Sequence, residues 1–181
     1  VAQLYAAGEV EKIHAYCLKY PGAMGLIVRK VRETMMNSTV LFLQAQVMGG
    51  DSRVKWNGAS HRFEYKNGSF LAIGGMKDEE QRQAVRSIGV DGALDIAWME
   101  EANLFDEGDF GEIIGCLRGK AAPWQQIVLT TNPDGPDHWI RRRFMIGGRK
   151  IAGATEPFHW HRTETELDNG EKVLATTYYS G

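Results

Sequence analysis

Ala93-Leu-Asp-Ile-Ala-Trp-Met-Glu-Glu-Ala102 is a short apolar run that closes on two adjacent carboxylates, Glu100 and Glu101. The pattern predicts a buried parallel strand whose C-terminal end delivers charge to the rim of a sheet, where open α/β folds bind ligands. A strand that simply leaves the core and turns polar fits the same residues. The first acid suits Mg²⁺ held through its water shell, and the second suits orientation and deprotonation of an attacking water, which together form the acid half of an ATP site.

Working outward, Gln126 to Thr131 repeats the buried-strand pattern and ends in Thr130-Thr131-Asn132-Pro133, so polar groups again leave a strand at its C-terminal edge. The two ends converge on one site if the strands are neighbours, as consecutive strands usually are. Met24 to Val28 reads as another buried strand and leads into Arg29-Lys30. From Arg32 or Glu33 to about Val47, the apolar positions Met35, Met36, Val40, Leu41 and Leu43 predict a helix packed on that strand.

Upstream, Val1 to Ala7 and Glu11 to Lys19 read as two helical stretches, the second stopped by Tyr20-Pro21-Gly22. Downstream, Arg62 to Tyr65 and Ser69 to Gly74 flank Lys66-Asn67-Gly68, and Asn-Gly between alternating runs predicts a hairpin with positive φ at both central positions. Asp78 to Val85 predicts a short polar helix, with Arg86 to Gly89 a loop after it. Phe110 to Leu117 predicts a helix with Phe110, Ile113, Ile114 and Leu117 on one face. His138 to Phe144 reads as a short basic helix, Phe158 to Thr163 as a last strand and Asp168-Asn169-Gly170 as a turn. The expected class is α/β, a mostly parallel central sheet flanked by helices, with an antiparallel β-hairpin insert.

At 181 residues the chain has room for one domain with a real core. A net charge of −2 leaves no global footprint for nucleic acid, so contact with DNA falls to a local patch or a partner. Cys17 and Cys116 have neither metal-site nor disulfide-framework spacing, which favours a reducing compartment. No run approaches the roughly 18 apolar residues of a membrane span, and the expected setting is cytoplasmic.

Five features occur in one order: Gly-Leu-Ile-Val-Arg-Lys at 25–30, Asn-Gly-Ser-Phe-Leu-Ala-Ile-Gly-Gly at 67–75, Trp-Met-Glu-Glu-Ala at 98–102, Cys-Leu-Arg-Gly at 116–119, and Thr-Thr-Asn-Pro followed by His-Trp-Ile. Together they resemble the ATPase domain of the large terminase subunit of tailed phages, the motor that pumps DNA into a procapsid. The likeness runs from about residue 1 to about residue 169, leaving 170–181 as a tail or the start of a linker. It implies a fold of the P-loop NTPase type with an added catalytic-glutamate strand, ATP and Mg²⁺ as cofactors, and double-stranded DNA, the portal and the small terminase subunit as partners. A homo-oligomeric ring at the procapsid portal in the host cytoplasm is also implied, with no membrane. Within the likeness, Trp98 to Ala102 resembles Walker B, and Thr130-Thr131-Asn132 the coupling motif.

Family members carry a phosphate-binding Walker A loop ahead of the first helix, and these residues hold no Gly-x-x-x-x-Gly-Lys-[Ser/Thr]. Gly115 to Ala121 only approximates it: the spacing is one residue short and Ala121 has no hydroxyl for Mg²⁺, so a helix end with a glycine cap is the better reading. The chain therefore reads as a piece of a larger protein, lacking that loop and the family's C-terminal nuclease domain, and by itself it is expected to bind ATP weakly or not at all.

The candidate catalytic residues are Glu101 as general base, Glu100 as the Mg²⁺ partner and Arg86 as an arginine finger supplied across a subunit boundary. Walker B more often presents aspartate before glutamate, and Glu100 departs from that. Arg29, Lys30, Thr130, Thr131 and Asn132 are the candidate nucleotide-binding and coupling residues. Strand exits and a plain turn are the structural alternatives for these five, and a surface arginine in a polar helix-to-loop segment is the alternative for Arg86. Arg141, Arg142 and Arg143 beside Trp139 offer phosphate contacts or only a solvated helix face. His159 and His161 share a strand face without an evident third metal ligand. Two other functions stay open: a different P-loop nucleic-acid motor such as a helicase or recombination ATPase, and a non-enzymatic assembly remnant.

Overall fold

In the computed structural model the described residues are 2–89, 92–132, 135, 137–140, 143, 158–166 and 172–180. The chain divides into two compact units, residues 1–132 and 133–181. The first is built on a six-stranded sheet: β1 (Met24–Arg29), β2 (Val54–Asn57), β3 (Arg62–Tyr65), β4 (Phe70–Gly75), β5 (Ile96–Met99) and β6 (Gln126–Leu129), in the order β2-β3-β4-β1-β5-β6. Strands β4, β1, β5 and β6 run parallel, and β2 and β3 add antiparallel at one side. This is the expected α/β architecture with its hairpin insert.

Alternation along the strands sorts the core into two faces. Ile27, Leu71, Ile73, Ile96 and Trp98 join one apolar cluster with Val10, Ile13 and Cys17 of α1 (Ala2–Lys19) and with Met35, Val40 and Leu43. On the other face Val85, from α4 (Glu79–Arg86), lies over Gly74, and α5 (Glu107–Cys116) packs against α4. All four residues of β5 are buried, as a central strand covered on both sides requires. Cys17 and Cys116 are both free and buried.

Several local expectations change. The two N-terminal helical stretches are one helix, α1: Gly8 costs about 1 kcal/mol in a helix interior and does not end it. The helix expected over 32–47 is broken into α2 (Arg32–Met36), α3 (Thr39–Phe42) and a π-turn at Leu43–Val47. The break falls at Ser38 (φ −132°, ψ −80°), whose hydroxyl bonds the Thr34 carbonyl at 2.9 Å, and it leaves Leu41 exposed where a continuous helix predicts burial.

The Asn67-Gly68 hairpin forms, with positive φ at Gly68 alone (φ +84°). Gly68 N–H bonds the Tyr65 carbonyl at 3.0 Å and Tyr65 N–H bonds the Ser69 carbonyl at 2.9 Å, the pattern of a type I turn closed by a glycine bulge. Asn67 is thereby freed to cap α1, its side-chain amide donating to the carbonyls of Cys17 and Leu18 at 2.8 and 3.1 Å. Strand β2 extends the hairpin to three strands, which the alternation at 62–74 does not announce.

Helix α5 starts earlier than predicted, on a capping box between Asp106 and Asp109, and turns Ile114 outward. Its C-terminus has no glycine cap: Leu117 holds the cap position with φ −77°, and Gly119 is required for close approach instead. A Cβ there sits 2.3 Å from the carboxylate of Asp95. That buried carboxylate accepts from the backbone N–H groups of Met24 and Ala121, both at 2.9 Å, and ties the 117–121 loop to the start of the sheet.

The second unit contains β7 (Phe158–Glu166) paired antiparallel with β8 (Lys172–Ser180), from Phe158↔Ser180 to Glu166↔Lys172. The stretch predicted as a last strand is thus followed by another, in the segment read as a tail. Arg141 and Arg142, the Asp168-Asn169-Gly170 turn and the side chains of His159 and His161 lie outside the described residues.

Candidate active site

Adjacent parallel strands carry their C-terminal ends to one rim, and the site assembles there. Met99 and Leu129 are register partners on β5 and β6. Beyond them Thr130 N–H bonds the Met99 carbonyl at 3.1 Å and Ala102 N–H bonds the Thr130 carbonyl at 2.8 Å. Trp98, fully buried, donates its indole N–H to the Thr130 hydroxyl at 2.9 Å. Three hydrogen bonds therefore clamp the Thr-Thr-Asn segment to the chain around the acidic pair. Thr131 reaches Asn103 at 3.4 Å and the Asn132 carbonyl at 3.0 Å, and Asn132 itself is exposed.

The two glutamates leave β5 in different environments. Glu100 stays paired to β1 through its N–H and the Val28 carbonyl (2.9 Å), with its side chain only 11% exposed. Both of its carboxylate oxygens take the Thr39 hydroxyl, at 2.9 and 2.7 Å, and Oε1 meets Arg29 Nη2 at 2.7 Å. Glu101 turns the chain with φ +55° and ψ +51°, a left-handed conformation that costs a non-glycine residue about 1–3 kcal/mol. Its side chain is 43% exposed at the rim. One carboxylate is held fast and the other faces solvent.

Arg29, at the end of β1, links the two. Its Nη2 pairs with Glu100, its Nε lies 3.5 Å from Glu101 Oε2, and its Nη1 contacts the Thr34 and Ser38 hydroxyls at 3.3 and 3.5 Å. The Nε–H has no hydrogen-bond partner among the described residues, the Glu101 contact being too long for a good one. Lys30, the next residue, turns away from the glutamates to Asp109 Oδ2 at 2.5 Å and stands over the Phe105 ring. Asp109 also accepts from Arg82 Nη2 at 2.9 Å, so one buried carboxylate binds two cations. Burial pushes the Asp109 pKa up, but the hydrogen bonds from Lys30 and Arg82 outweigh it and hold the carboxyl below its ordinary value.

Arg86 is not in a loop: it ends α4, paired with Glu79 of its own helix and with Glu112 of α5 at 3.9 Å. The residues after it, Ser87 to Gly89, line a cleft with Met24 and Phe70, which begin β1 and β4. Arg86 therefore belongs to the opposite rim from Glu100 and Glu101 of the same chain. Of the eight residues singled out from sequence, Glu100, Glu101, Arg29, Thr130, Thr131 and Asn132 come together; Lys30 is nearby and otherwise engaged; Arg86 is remote.

Sequence reading missed Thr39, Asp109 and the role of Trp98. For Thr39 a signal existed: Asn37-Ser38-Thr39 in mid-helix, residue types whose side chains compete for backbone hydrogen bonds. Among the described residues no three His, Cys, Asp or Glu side chains form a metal cage. The donor set suits a cation that the substrate largely coordinates, since Mg²⁺ keeps several waters and takes one or two carboxylates plus phosphates.

Comparison with known proteins agrees with this fold. The PBSX phage terminase large subunit of Bacillus subtilis (strain 168) is 28% identical over 127 residues, covering 69% of this chain and 28% of that protein. The large terminase of a thermophilic bacteriophage superposes with a TM-score of 0.63 at 16% identity, over 76% of this chain and 33% of that one. The same phage's terminase in complex with ADP gives 0.57 at 17% identity, over 72% and 31%. This chain thus spans about a third or less of the length of these relatives. The family described as phage terminase large subunit matches residues 9–173, nearly the whole sequence, and the chain belongs to that family.

Proposed function

We propose that this chain is the ATP-hydrolysing part of a large terminase subunit, which couples hydrolysis to translocation of double-stranded DNA into a procapsid in the host cytoplasm. The observation that carries the reading is the meeting of Glu100 and Glu101 with Thr130, Thr131 and Asn132 at one sheet rim. Glu100 would hold Mg²⁺ through a water of its shell, and the ion would supply charge neutralisation to the phosphates. Glu101, the exposed acid, orients the attacking water and accepts its proton. Thr130 to Asn132 sense the γ-phosphate and pass its loss to the acidic strand through the clamp at Met99, Trp98 and Ala102. Arg29, whose unsatisfied N–H lies between the two acids, sets their relative orientation. The thermophilic phage terminase seen with ADP supports a nucleotide as ligand.

The partners follow from the same reading: DNA, the portal, the small terminase subunit, and further copies of this chain in a ring. To Arg86, remote from its own acids and paired with Glu79 and Glu112, we assign the role of a finger supplied in trans to a neighbour's nucleotide, worth about 10³–10⁵ in rate. The test uses the full-length protein and DNA-stimulated ATP turnover. Mixtures of Arg86→Ala and Glu101→Gln subunits are expected to recover activity that neither variant has alone. No recovery at any ratio removes the finger, and an inert wild type under packaging conditions removes the motor.

A further inference from the structure

We infer that Thr39 is the positioning residue for Glu100, the side chain that fixes this carboxylate for the metal. The inference rests on the reading of Glu100 given above and adds a residue that the family's motifs do not point to in this sequence.

The two residues are 61 positions apart and meet in a buried contact: Thr39 is 7% exposed and its hydroxyl lies 2.9 and 2.7 Å from the two oxygens of Glu100. A hydroxyl carries one proton, so it donates to one oxygen at a time, and near-equal distances to both hold the carboxylate symmetrically. Arg29 Nη2 occupies Oε1 as well. An ionised carboxylate offers about four acceptor sites. Thr39 at both oxygens and Arg29 at one leave a free acceptor direction on Oε2, enough for one water of a hydrated cation.

The backbone is arranged around this contact. Unbroken helix from Arg32 to Phe42 is abandoned at Ser38, and Thr39 opens α3 immediately after the break. Ser38 closes the gap locally, bonding Thr34 through its hydroxyl and Phe42 through its carbonyl, and leaves the Thr39 side chain to Glu100. Without the Thr39 hydroxyl, the Glu100 carboxylate keeps only Arg29 among the described residues, and Arg29 also faces Glu101 at 3.5 Å. The carboxylate is then free to pivot with the guanidinium, and the acceptor direction for the metal's water is lost.

The experiment titrates Mn²⁺ into the full-length protein with a non-hydrolysable ATP analogue and follows the bound ion by electron paramagnetic resonance. Thr39→Val removes the hydroxyl at nearly constant shape. It is expected to weaken Mn²⁺ binding about 10-fold, the lower end of what losing an outer-shell group costs a metal site, with metal-free analogue binding unchanged. Thr39→Ser is expected to restore wild-type affinity. If Thr39→Val does not fold, Thr39→Ala carries the same expectation. A folded Thr39→Val or Thr39→Ala protein with wild-type Mn²⁺ affinity overturns the positioning role when Glu100→Gln loses affinity in the same assay. If Glu100→Gln also binds Mn²⁺ like wild type, the metal assignment of Glu100 falls, and this inference falls with it.

Discussion

Glu101→Gln in the full-length protein is expected to lower ATP turnover by about 10²–10⁴-fold, the contribution of a positioned general base, and to leave nucleotide binding in place. Glutamine matches glutamate in shape and keeps the half-exposed side chain at the rim, but its amide accepts no proton from water at neutral pH. The backbone has little reason to move, because φ +55° at residue 101 is set by the hydrogen bonds flanking it and not by the carboxylate. Among the described residues the one side-chain partner lost is Arg29 Nε, already at 3.5 Å. Single-turnover hydrolysis and equilibrium binding of a fluorescent ATP analogue separate the two effects. Wild-type turnover in the variant removes Glu101 from the role of base, and loss of binding in parallel assigns it to the nucleotide instead.

The second large effect is on stability. Asp109→Ala is expected to cost about 3 kcal/mol, the lower end of what breaking a buried ion pair costs, or roughly 6–12 °C in the melting temperature of a domain this size. The Asp109 carboxylate is 1% exposed, whereas Lys30 and Arg82 are 24% and 23% exposed, so the stranded cations recover part of their hydration. The residue also closes the α5 capping box, accepting from Asp106 N–H at 3.2 Å, so the start of that helix loosens too.

The pH dependence follows in sign. The folded-state pKa of Asp109 lies below its unfolded value, so its contribution is complete above the ordinary aspartate value of about 3.9. It is lost as pH falls through the folded value. Asp109→Asn is expected to be less stable than wild type at neutral pH and to lose less on acidification. Denaturant midpoints at neutral and acid pH measure both. Equal midpoints for variant and wild type at neutral pH contradict the account.

Local pattern reached far into this protein. Four-residue to six-residue apolar runs ending in charged or polar groups located β1, β5 and β6, because strands in a sheet covered by helices are largely apolar and turn polar where the sheet ends. That rule brings Glu100, Glu101, Arg29 and Thr130 to one rim without any knowledge of contacts. The Asn67-Gly68 pair located the hairpin for a similar reason, since a turn needs one residue tolerant of positive φ.

What sequence could not supply is the choice of partner for each polar group. Arg29 and Lys30 are adjacent cations on one strand end, yet alternation sends the first to the glutamates and the second to Asp109, 79 residues away. Apolar spacing from Met35 to Leu43 argued for one helix, and the hydrogen bond from Thr39 to Glu100 accompanies a break that the spacing does not register. Arg86 read as loop because its neighbours are small, whereas acidic residues on α4 and α5 hold it in a helix. Periodicity is a property of neighbours along the chain and fixes which residues are buried and where elements end. Hydrogen bonds and ion pairs are decided by which rims and faces meet after the sheet has assembled, and that meeting exists only in three dimensions.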